Sequence, residues 1–264
     1  MQPGSAILSA SPWQAFGTLR VREVRYRPHA VQQPHRHEES SLSLVLAGEI
    51  EETSSTESFQ AAAGSVVVKP AACWHSNRYG PRGAHLVQVR LNAANGSLEP
   101  EFHRYGWLDS PWFVGAVLNL LNGRTKARES AEMYFWDVVE SFLPGRTRQP
   151  IMQPDWLADA LDLLDASSEH SISVTEVATR VGVHPVHLAR VVRARYGCSV
   201  RQYIRERRVL AAWRACQAGD QSLAAIAAGA GFADQAHMTR AFTEILGVSP
   251  GQLKRLGLGA INSR

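Results

Sequence analysis

The chain has 264 residues, of which 45% are apolar, and its formal net charge is +4. This length accommodates two domains of ordinary size with at least one sizeable core. No segment approaches the ~20 uncharged apolar residues of a membrane-spanning helix, and residues 1–20 lack the basic start and apolar run of a secretory signal. The three cysteines are too widely spaced for a disulfide framework or a Cys-x-x-Cys motif. These features predict a cytoplasmic protein that is not associated with a membrane.

Residues 21–91 have the pattern of short β-strands. Segments 43–46, 64–68 and 86–91 are rich in β-branched residues or alternate between apolar and polar positions. The residues that are typical of turns between them are Gly48, Gly64, Pro70, Gly80 and Gly83. Many short strands with turn signals predict a small barrel or jelly roll.

Two helices are predicted after the strands. Residues 111–121 and 129–143 carry apolar side chains at helical spacing, and glycine or proline follows each segment. The apolar stripes fit two arrangements, because they can pair between the subunits of a homodimer or cover the barrel. Residues 144–154 contain three prolines and two arginines, which is typical of a linker.

From residue 155 onward every segment has the pattern of a helix. Ser173 and Ser199 each stand three residues before a Glu or Gln, which predicts capping boxes. Ser222 and Ser249 are predicted N-caps of two further helices. The predicted helices lie near residues 155–167, 174–181, 185–195, 200–217, 223–229, 234–245 and 250–256.

Residues 174–199 and 223–249 look like the same unit twice. The matching positions are Ala178 with Ala227, Gly182 with Gly231, and Arg190 with Arg240. Each unit predicts a short helix, a glycine that permits a turn with positive φ, and a second helix. This is a helix-turn-helix, predicted near residues 174–195 and 223–245, whose second helix enters the major groove of DNA.

Arginine is concentrated between the two units. Residues 180–214 contain nine arginines against a single acid, Glu206, and the arginines are Arg180, Arg190, Arg193, Arg195, Arg201, Arg205, Arg207, Arg208 and Arg214. Such a concentration fits a phosphate-contacting surface, and it also fits a solvated helix face. Two helix-turn-helix units in register, joined by this segment, favour DNA binding over a helical bundle that merely arose by duplication.

The C-terminal segment resembles the DNA-binding domain of the AraC/XylS family of bacterial transcription regulators. The resemblance covers about 100 residues and rests on the segments 178–190 and 226–250 and on the connector between them. It implies that the helices starting near Pro185 and Asp234 read double-stranded DNA. The residues then expected at the DNA are Val186, His187, Ala189, Arg190 and Arg193 in the first motif and Gln235, Ala236, His237 and Arg240 in the second.

The N-terminal part also fits this family, whose members often carry a cupin-like effector-binding barrel. The segment 35–48 resembles the first cupin motif and the segment 64–75 the second, but Ser41 or Leu42 stands where the metal-binding version has a glutamate. Two interpretations follow for His35, His37 and His75. They form a metal site, or they pack or touch a small molecule in a metal-free barrel. The missing glutamate favours the second interpretation, so no cofactor is firmly predicted.

Four further residues, Trp13, Tyr26, Trp74 and Arg90, are candidates to line a pocket. Aromatic side chains that face a barrel interior are, however, more often part of the core.

The resemblance therefore predicts an α+β protein of two domains. Residues 1–149 would form a cupin-like β-barrel with appended helices, for effector binding or dimerisation, and residues 150–264 an all-α domain of two helix-turn-helix motifs joined by a linker helix. The predicted function is sequence-specific regulation of transcription, in which a signal sensed in the N-terminal barrel, either a small-molecule effector or a protein, controls the occupancy of promoter DNA. RNA polymerase is an expected partner if the protein is an activator. The alternative is a metal-dependent cupin enzyme with a helical interaction domain, which depends on the three histidines alone.

Overall fold

The computed structural model describes eight stretches of the chain, which are residues 6–55, 58–91, 106–108, 111–122, 154–166, 173–196, 198–219 and 221–258. The helix predicted over residues 129–143 lies outside them, as does the predicted linker apart from Pro154. Within these stretches, no helix has both the length and the apolar character needed to cross a membrane.

The described residues before the helices form nine strands of one antiparallel sheet. The strands are β1 Ile7–Ala10, β2 Gln14–Phe16, β3 Leu19–Tyr26, β4 Val31–His35, β5 Ser41–Ser54, β6 Ser58–Ala62, β7 Val66–Lys69, β8 His75–Leu91 and β9 Gly106–Leu108. The strand path runs β1-β3-β8-β5-β7-β9, with β2 beside β3, β4 beside β8 and β6 beside β5. This path does not close on itself in the described residues, so the predicted barrel is an open one.

Three of the predicted turns are wrong. Gly48 lies inside β5, and Gly80 and Gly83 lie inside β8, so these two strands run on where the sequence predicted turns. The register between β5 and β8 shifts twice around Gly48, which shows that the long strands bend at bulges instead of ending. Gly48 has a φ of +80°, and a Cβ there would lie 2.0 Å from the carbonyl oxygen of Gly83. Glycine is needed here for a close approach of two backbones.

The two faces of the sheet differ in chemistry, because successive side chains of a strand point to opposite faces. One face, the apolar face, carries in β3, β5, β7 and β8 the buried side chains of Leu19, Val21, Leu42, Leu44, Val66, Val68, Val87 and Val89. The other, the polar face, carries in the same strands Arg20, Arg22, Ser41, Ser43, Lys69, Gln88 and Arg90. The strand register agrees, since Arg20 lies opposite Arg90 and Arg22 opposite Gln88.

The described residues contain eight helices. They are α1 Pro111–Asn122, α2 Asp155–Ala166, α3 Val174–Arg180, α4 Pro185–Tyr196, α5 Val200–Ala218, α6 Leu223–Gly229, α7 Gln235–Leu246 and α8 Pro250–Leu258. Each lies within two residues of its predicted bounds. The predicted N-caps explain this agreement, because Ser173, Ser199 and Ser222 each accept a hydrogen bond from the amide three residues later, at 3.1, 3.2 and 3.1 Å. The predicted fold class is confirmed.

The helices pack into two separate hydrophobic cores. The first helix-turn-helix, α3 and α4, packs with α2 and the start of α5 around the fully buried Val177 and Leu188. The second, α6 and α7, packs with α1, with the rest of α5 and with the apolar face of the sheet. Trp213 of α5 and Phe242 of α7 are fully buried in this larger core. The second motif therefore shares its core with the N-terminal sheet, and the first does not.

Residues of the helices also approach the backbone of neighbouring elements in the shared core. The Arg214 guanidinium donates from Nε to the carbonyl oxygen of Ala63 at 3.1 Å. In α1, Gly115 lies so close to α7 that a Cβ on it would be 2.3 Å from the carbonyl oxygen of Ile245. The contact between α1 and α7 thus requires a residue without a side chain.

Replacing Gly115 by valine is expected to lower the free energy of unfolding by about 1–3 kcal/mol, because the added methyl groups must push the α7 backbone away. Urea denaturation of the purified chain measures this. The matched control is Gly229→Ala at the end of α6, where an added Cβ meets nothing within 4 Å. That variant should keep or slightly raise the stability, since alanine favours helix more than glycine does. Equal losses in the two variants would contradict the close approach.

Candidate nucleic-acid interface and effector site

The two helix-turn-helix motifs have the same backbone geometry. Gly182 and Gly231 occupy the turns with φ of 71° and 74°, as the internal repeat predicted. The residue after each glycine donates a backbone hydrogen bond to the first helix of its motif. Val183 donates to the carbonyl oxygen of Ala178, and Phe232 to that of Ala227, both at 2.9 Å. Both alanines are fully buried, so each second helix packs closely on the first. The repeat seen in the sequence is therefore also a structural repeat.

The predicted DNA-contact residues lie mostly on the solvent side of α4 and α7. The exposed ones are Val186, Ala189, Arg190 and Arg193 on α4 and Gln235, Ala236 and Arg240 on α7. Val186 exposes 68% of its surface, which is unusual for a large aliphatic side chain. An apolar side chain at such a position is available to a thymine methyl group.

His187 and His237 are only half-buried and occupy equivalent places in the two motifs. The ring of His187 lies 5.4 Å from that of Trp156, and the ring of His237 lies 5.3 Å from that of Phe232. The Arg190 guanidinium also lies 3.0 Å from His187 Nδ1. These contacts fix the two imidazoles beside the exposed faces of α4 and α7.

The arginine-rich connector has a role that the sequence did not reveal. Arg207 of α5 forms two hydrogen bonds with the carboxylate of Asp165 in α2, at 2.8 and 2.7 Å. Arg205 pairs in the same way with Glu244 of α7, at 2.8 and 2.5 Å. Together with Arg214, which binds Ala63, these side chains hold α5 to its neighbours. This part of the concentration of arginines is structural rather than a free surface for phosphate.

On the polar face of the sheet, His35, His37 and His75 converge. Their ring centroids are 4.4–5.3 Å apart, and one nitrogen of each lies within 4.8 Å of the others. Among the described residues this is the one group of three side chains that could hold a metal ion.

The tautomers of two of these imidazoles are set by the backbone. Nδ1 of His75 lies 3.1 Å from the carbonyl oxygen of Cys73, and Nδ1 of His35 lies 2.8 Å from that of Gln33. A carbonyl only accepts, so Nδ1 carries the proton and Nε2 keeps its lone pair. The His75 Nε2 is buried and has no hydrogen-bond partner. Burial lowers the pKa of His75 to about 3 and that of His37 to about 4, so both imidazoles are neutral at neutral pH.

No carboxylate of the described residues completes this group. Ser41 does face the polar side, as the strand alternation requires, but Glu39 pairs with Arg20 and lies 3.6 Å from Arg90. The sequence missed Glu52, a fully buried residue whose carboxylate lies 2.7 Å from Lys69 Nζ. Burial raises the pKa of Glu52 and Lys69 opposes this. Nothing local marks the pair, because its members come from different strands.

The four residues considered as pocket lining separate in the structure. Tyr26 is buried and stacks on Tyr79 with ring centroids 4.1 Å apart, so it belongs to the core. Trp74 is 51% exposed beside the histidines. Trp13 and Arg90 lie together on the polar face, with the guanidinium carbon 4.7 Å from the ring centroid.

An open cleft of about 840 Å³ lies elsewhere, between β5, β6 and β8 and the side chain of Arg214. Two of its charged residues, Glu51 and Arg78, lie 3.6 Å apart, and both are in contact with solvent. No histidine lines this cleft, so it has no counterpart of the three converging imidazoles, and the polar face is the better candidate site.

Comparison with known proteins identifies the C-terminal segment. Residues 177–256 match the family model described as a helix-turn-helix domain. The probable transcription factor PqrA of Proteus vulgaris is 33% identical over 86 residues, which are 33% of this chain and 70% of that protein. A putative AraC-like transcription regulator of Streptomyces antibioticus is 29% identical over 119 residues, 45% of this chain and 37% of that protein. The crystal structure of ToxT from Vibrio cholerae is 13% identical, over 94% of this chain and 99% of that one, with a TM-score of 0.41.

The fold and these matches agree on the same part of the chain. The Proteus relative is matched over most of its own length, and the matched segment holds both helix-turn-helix motifs and the helix α5 between them. The structural likeness to ToxT is too weak to support an argument. On the sequence matches and the paired motifs, the chain belongs to the AraC family of DNA-binding transcription regulators.

Proposed function

We propose that a signal bound on the polar face of the N-terminal sheet controls the occupancy of promoter DNA by this regulator. The observation that carries the proposal is the core that the second helix-turn-helix shares with the sheet. In β3, Arg22 on the polar face follows Val21 of that core. A ligand that shifts the strand from one side therefore shifts the packing of α7 on the other. A ligand with different affinities for two such arrangements changes their populations.

The DNA contacts proposed for α4 and α7 follow from their exposed side chains. Arg190 and Arg240 can donate bidentately to guanine or clamp phosphate, and Gln235 can pair with adenine. Val186, Ala189 and Ala236 supply apolar contacts, while His187, His237 and Arg193 lie alongside at the phosphates or base edges. The helix α5 has 19 residues, which is long enough for the two reading helices to enter successive major grooves.

The matched relatives are named as transcription regulators, which supports a sensor rather than an enzyme in the N-terminal part. In this proposal residues 1–149 sense the signal and residues 150–264 bind DNA in the cytoplasm, with RNA polymerase as a partner if the protein activates transcription. The described apolar side chains of residues 111–121 pack in the core that α1 shares with the sheet and α7, so this stripe covers the sheet rather than pairing two subunits. Subunit pairing through residues 129–143, which lie outside the described residues, stays a prediction.

The positions of the three histidines in the structure support a site for a divalent transition metal more strongly than the sequence motifs did. The Nε2 atoms of His35 and His75 keep their lone pairs, and the buried His75 Nε2 has no other partner. Imidazoles whose second nitrogen is held by a carbonyl are the usual ligands of such metals. A bound ion would offer open positions to an oxygen atom of a ligand. The same feature is all that supports the alternative, a metal-dependent cupin enzyme.

Selection of genomic fragments by the purified full-length chain is expected to enrich two boxes about one helical turn apart, and the double variant Arg190→Ala/Arg240→Ala should lose the enrichment. The single variant Arg240→Ala should cost about 1–3 kcal/mol at one base position if this side chain reads guanine. Binding titrations at fixed salt, with substituted sites, measure this cost.

The control for these titrations is Arg27→Ala, an exposed arginine just after β3. It should bind DNA as the wild type does. Uniform weakening by Arg240→Ala across all sequences would assign Arg240 to phosphate. A change below a few tenths of a kcal/mol, by contrast, would remove it from the interface.

Calorimetric titration of the metal-free chain with Zn²⁺ or Ni²⁺ is expected to show one site, weakened by about tenfold or more in His75→Ala. The control is His29→Asn, because His29 is exposed with a φ of 54°, a conformation that asparagine tolerates. Binding that also changes the affinity for selected DNA supports the regulator. If the wild type binds neither ion, the metal site is ruled out and the enzyme alternative fails with it.

A further inference from the structure

The polar face of the sheet carries more positive than negative charge in the described residues. Its cations are Arg20, Arg22, Lys69 and Arg90, and its carboxylates are Glu39 and Glu52. Lys69 is paired with Glu52 at 2.7 Å, while Arg20 and Arg90 share Glu39. No carboxylate in the described part of the chain pairs with Arg22.

Arg22 is held in place by neutral groups. Its Nε donates to Gln88 Oε1 at 2.9 Å, and its guanidinium carbon lies 4.3 Å from the ring centroid of Trp13. The guanidinium of Arg90 contacts the same ring at 4.7 Å. Two guanidinium groups are thus gathered on one indole, and a cation–π contact offsets only part of their repulsion.

Solvent screens only part of this charge. Arg22 and Arg90 are half-buried, and the Nε of Arg20 beside them is buried without a hydrogen-bond partner. Burial lowers the pKa of Arg22, and the neighbouring Arg90 lowers it further. Arginine nevertheless stays protonated at neutral pH, so the positive charge of Arg22 persists and calls for a negatively charged partner.

This cluster lies beside the three histidines rather than on a distant surface. Glu39, which pairs with Arg20 and lies 3.6 Å from Arg90, follows His37 by only two residues. The histidines and the arginines are consequently neighbours on the polar face.

We propose that Arg22 and Arg90 bind the oxyanion, a carboxylate or a phosphate, of a small organic effector, next to the indole of Trp13. The planar fork of a guanidinium matches both oxyanions with two parallel hydrogen bonds. A neutral or purely apolar effector would leave Arg22 without a counter-charge in a half-buried place, beside an Arg90 that shares its only carboxylate among the described residues with Arg20. This inference rests on the proposed function, because it names the class of signal that the sheet senses.

The first test needs no ligand. Arg22→Met keeps the length of the side chain beside Trp13 but removes the unpaired charge, so the melting temperature of the full-length chain should stay the same or rise. The matched control is Arg27→Met, which changes an exposed arginine. A marked fall in Arg22→Met alone would show that Arg22 is part of the fold's own pairing, and would overturn the inference.

The second test titrates the full-length chain with sodium benzoate or inorganic phosphate, against sodium chloride at equal ionic strength. At least one oxyanion should raise the melting temperature of the wild type and of Arg27→Met. Its dissociation constant should be weaker by about tenfold or more in Arg22→Met and Arg90→Met. A response to benzoate alone identifies a carboxylate, and one to phosphate alone a phosphate. No response to either, or one that survives both substitutions, overturns the inference.

Parallel DNA binding separates this inference from the proposed function. Without oxyanion, the exposed-site control Arg27→Met should bind the selected DNA fragments as the wild type does. An oxyanion should change the DNA affinity of these two proteins but not that of Arg22→Met. If the oxyanion binds through Arg22 but leaves the DNA affinity of the wild type unchanged, the binding site stands and the sensing function fails.

Discussion

In the part of the sheet that carries the arginines, the residues of the polar face alternate along β3, β5, β7 and β8 with residues of the core that the sheet shares with the helices. Val21 and Arg22 are one such pair, and Leu42 and Ser43 are another. This follows from the period of two in a β-strand, and no substitution can separate the two faces. The sheet is therefore at once the wall of a polar site and the floor of the core that holds the second helix-turn-helix. The rest of the architecture depends on this double use.

Because the sheet serves both purposes, the two helix-turn-helix motifs differ in what they pack against. The first motif lies in its own core with α2, and α2 is tied to α5 through the bidentate pair of Arg207 with Asp165. The second is part of the core of the sheet, and α5 holds it through the pair of Arg205 with Glu244. A displacement of β3 can reach α7 within one core through α1, which packs on both, whereas α4 belongs to the other core. In the proposed binding mode both motifs contact one DNA face, so a small rotation of one against the other would weaken binding to two boxes.

The sequence predicted best what depends on neighbouring residues. Helix bounds follow from caps such as Ser199, whose partner amide is three residues away, and from the glycine of each turn. Long-range pairs could not be predicted in this way: Arg207 and Asp165 are 42 residues apart, and Glu52 and Lys69 meet only because their strands lie side by side. The wrong turns at Gly80 and Gly83 have the same origin. A glycine that allows two strands to approach looks, along the chain, like one that ends a strand.

The charged side chains of the polar face can supply the free energy that couples effector binding to DNA binding. Coupling between two sites in regulators typically amounts to about 1–3 kcal/mol, or a change in affinity of roughly 5- to 150-fold. A hydrogen bond to a charged group contributes about 1.5–3 kcal/mol. One oxyanion that meets Arg22 and Arg90 in only one arrangement of their strands is therefore sufficient for the whole effect. A core of aliphatic side chains passes this difference on, because close packing leaves little free volume in which a shift of the strands could be absorbed before it reaches α7.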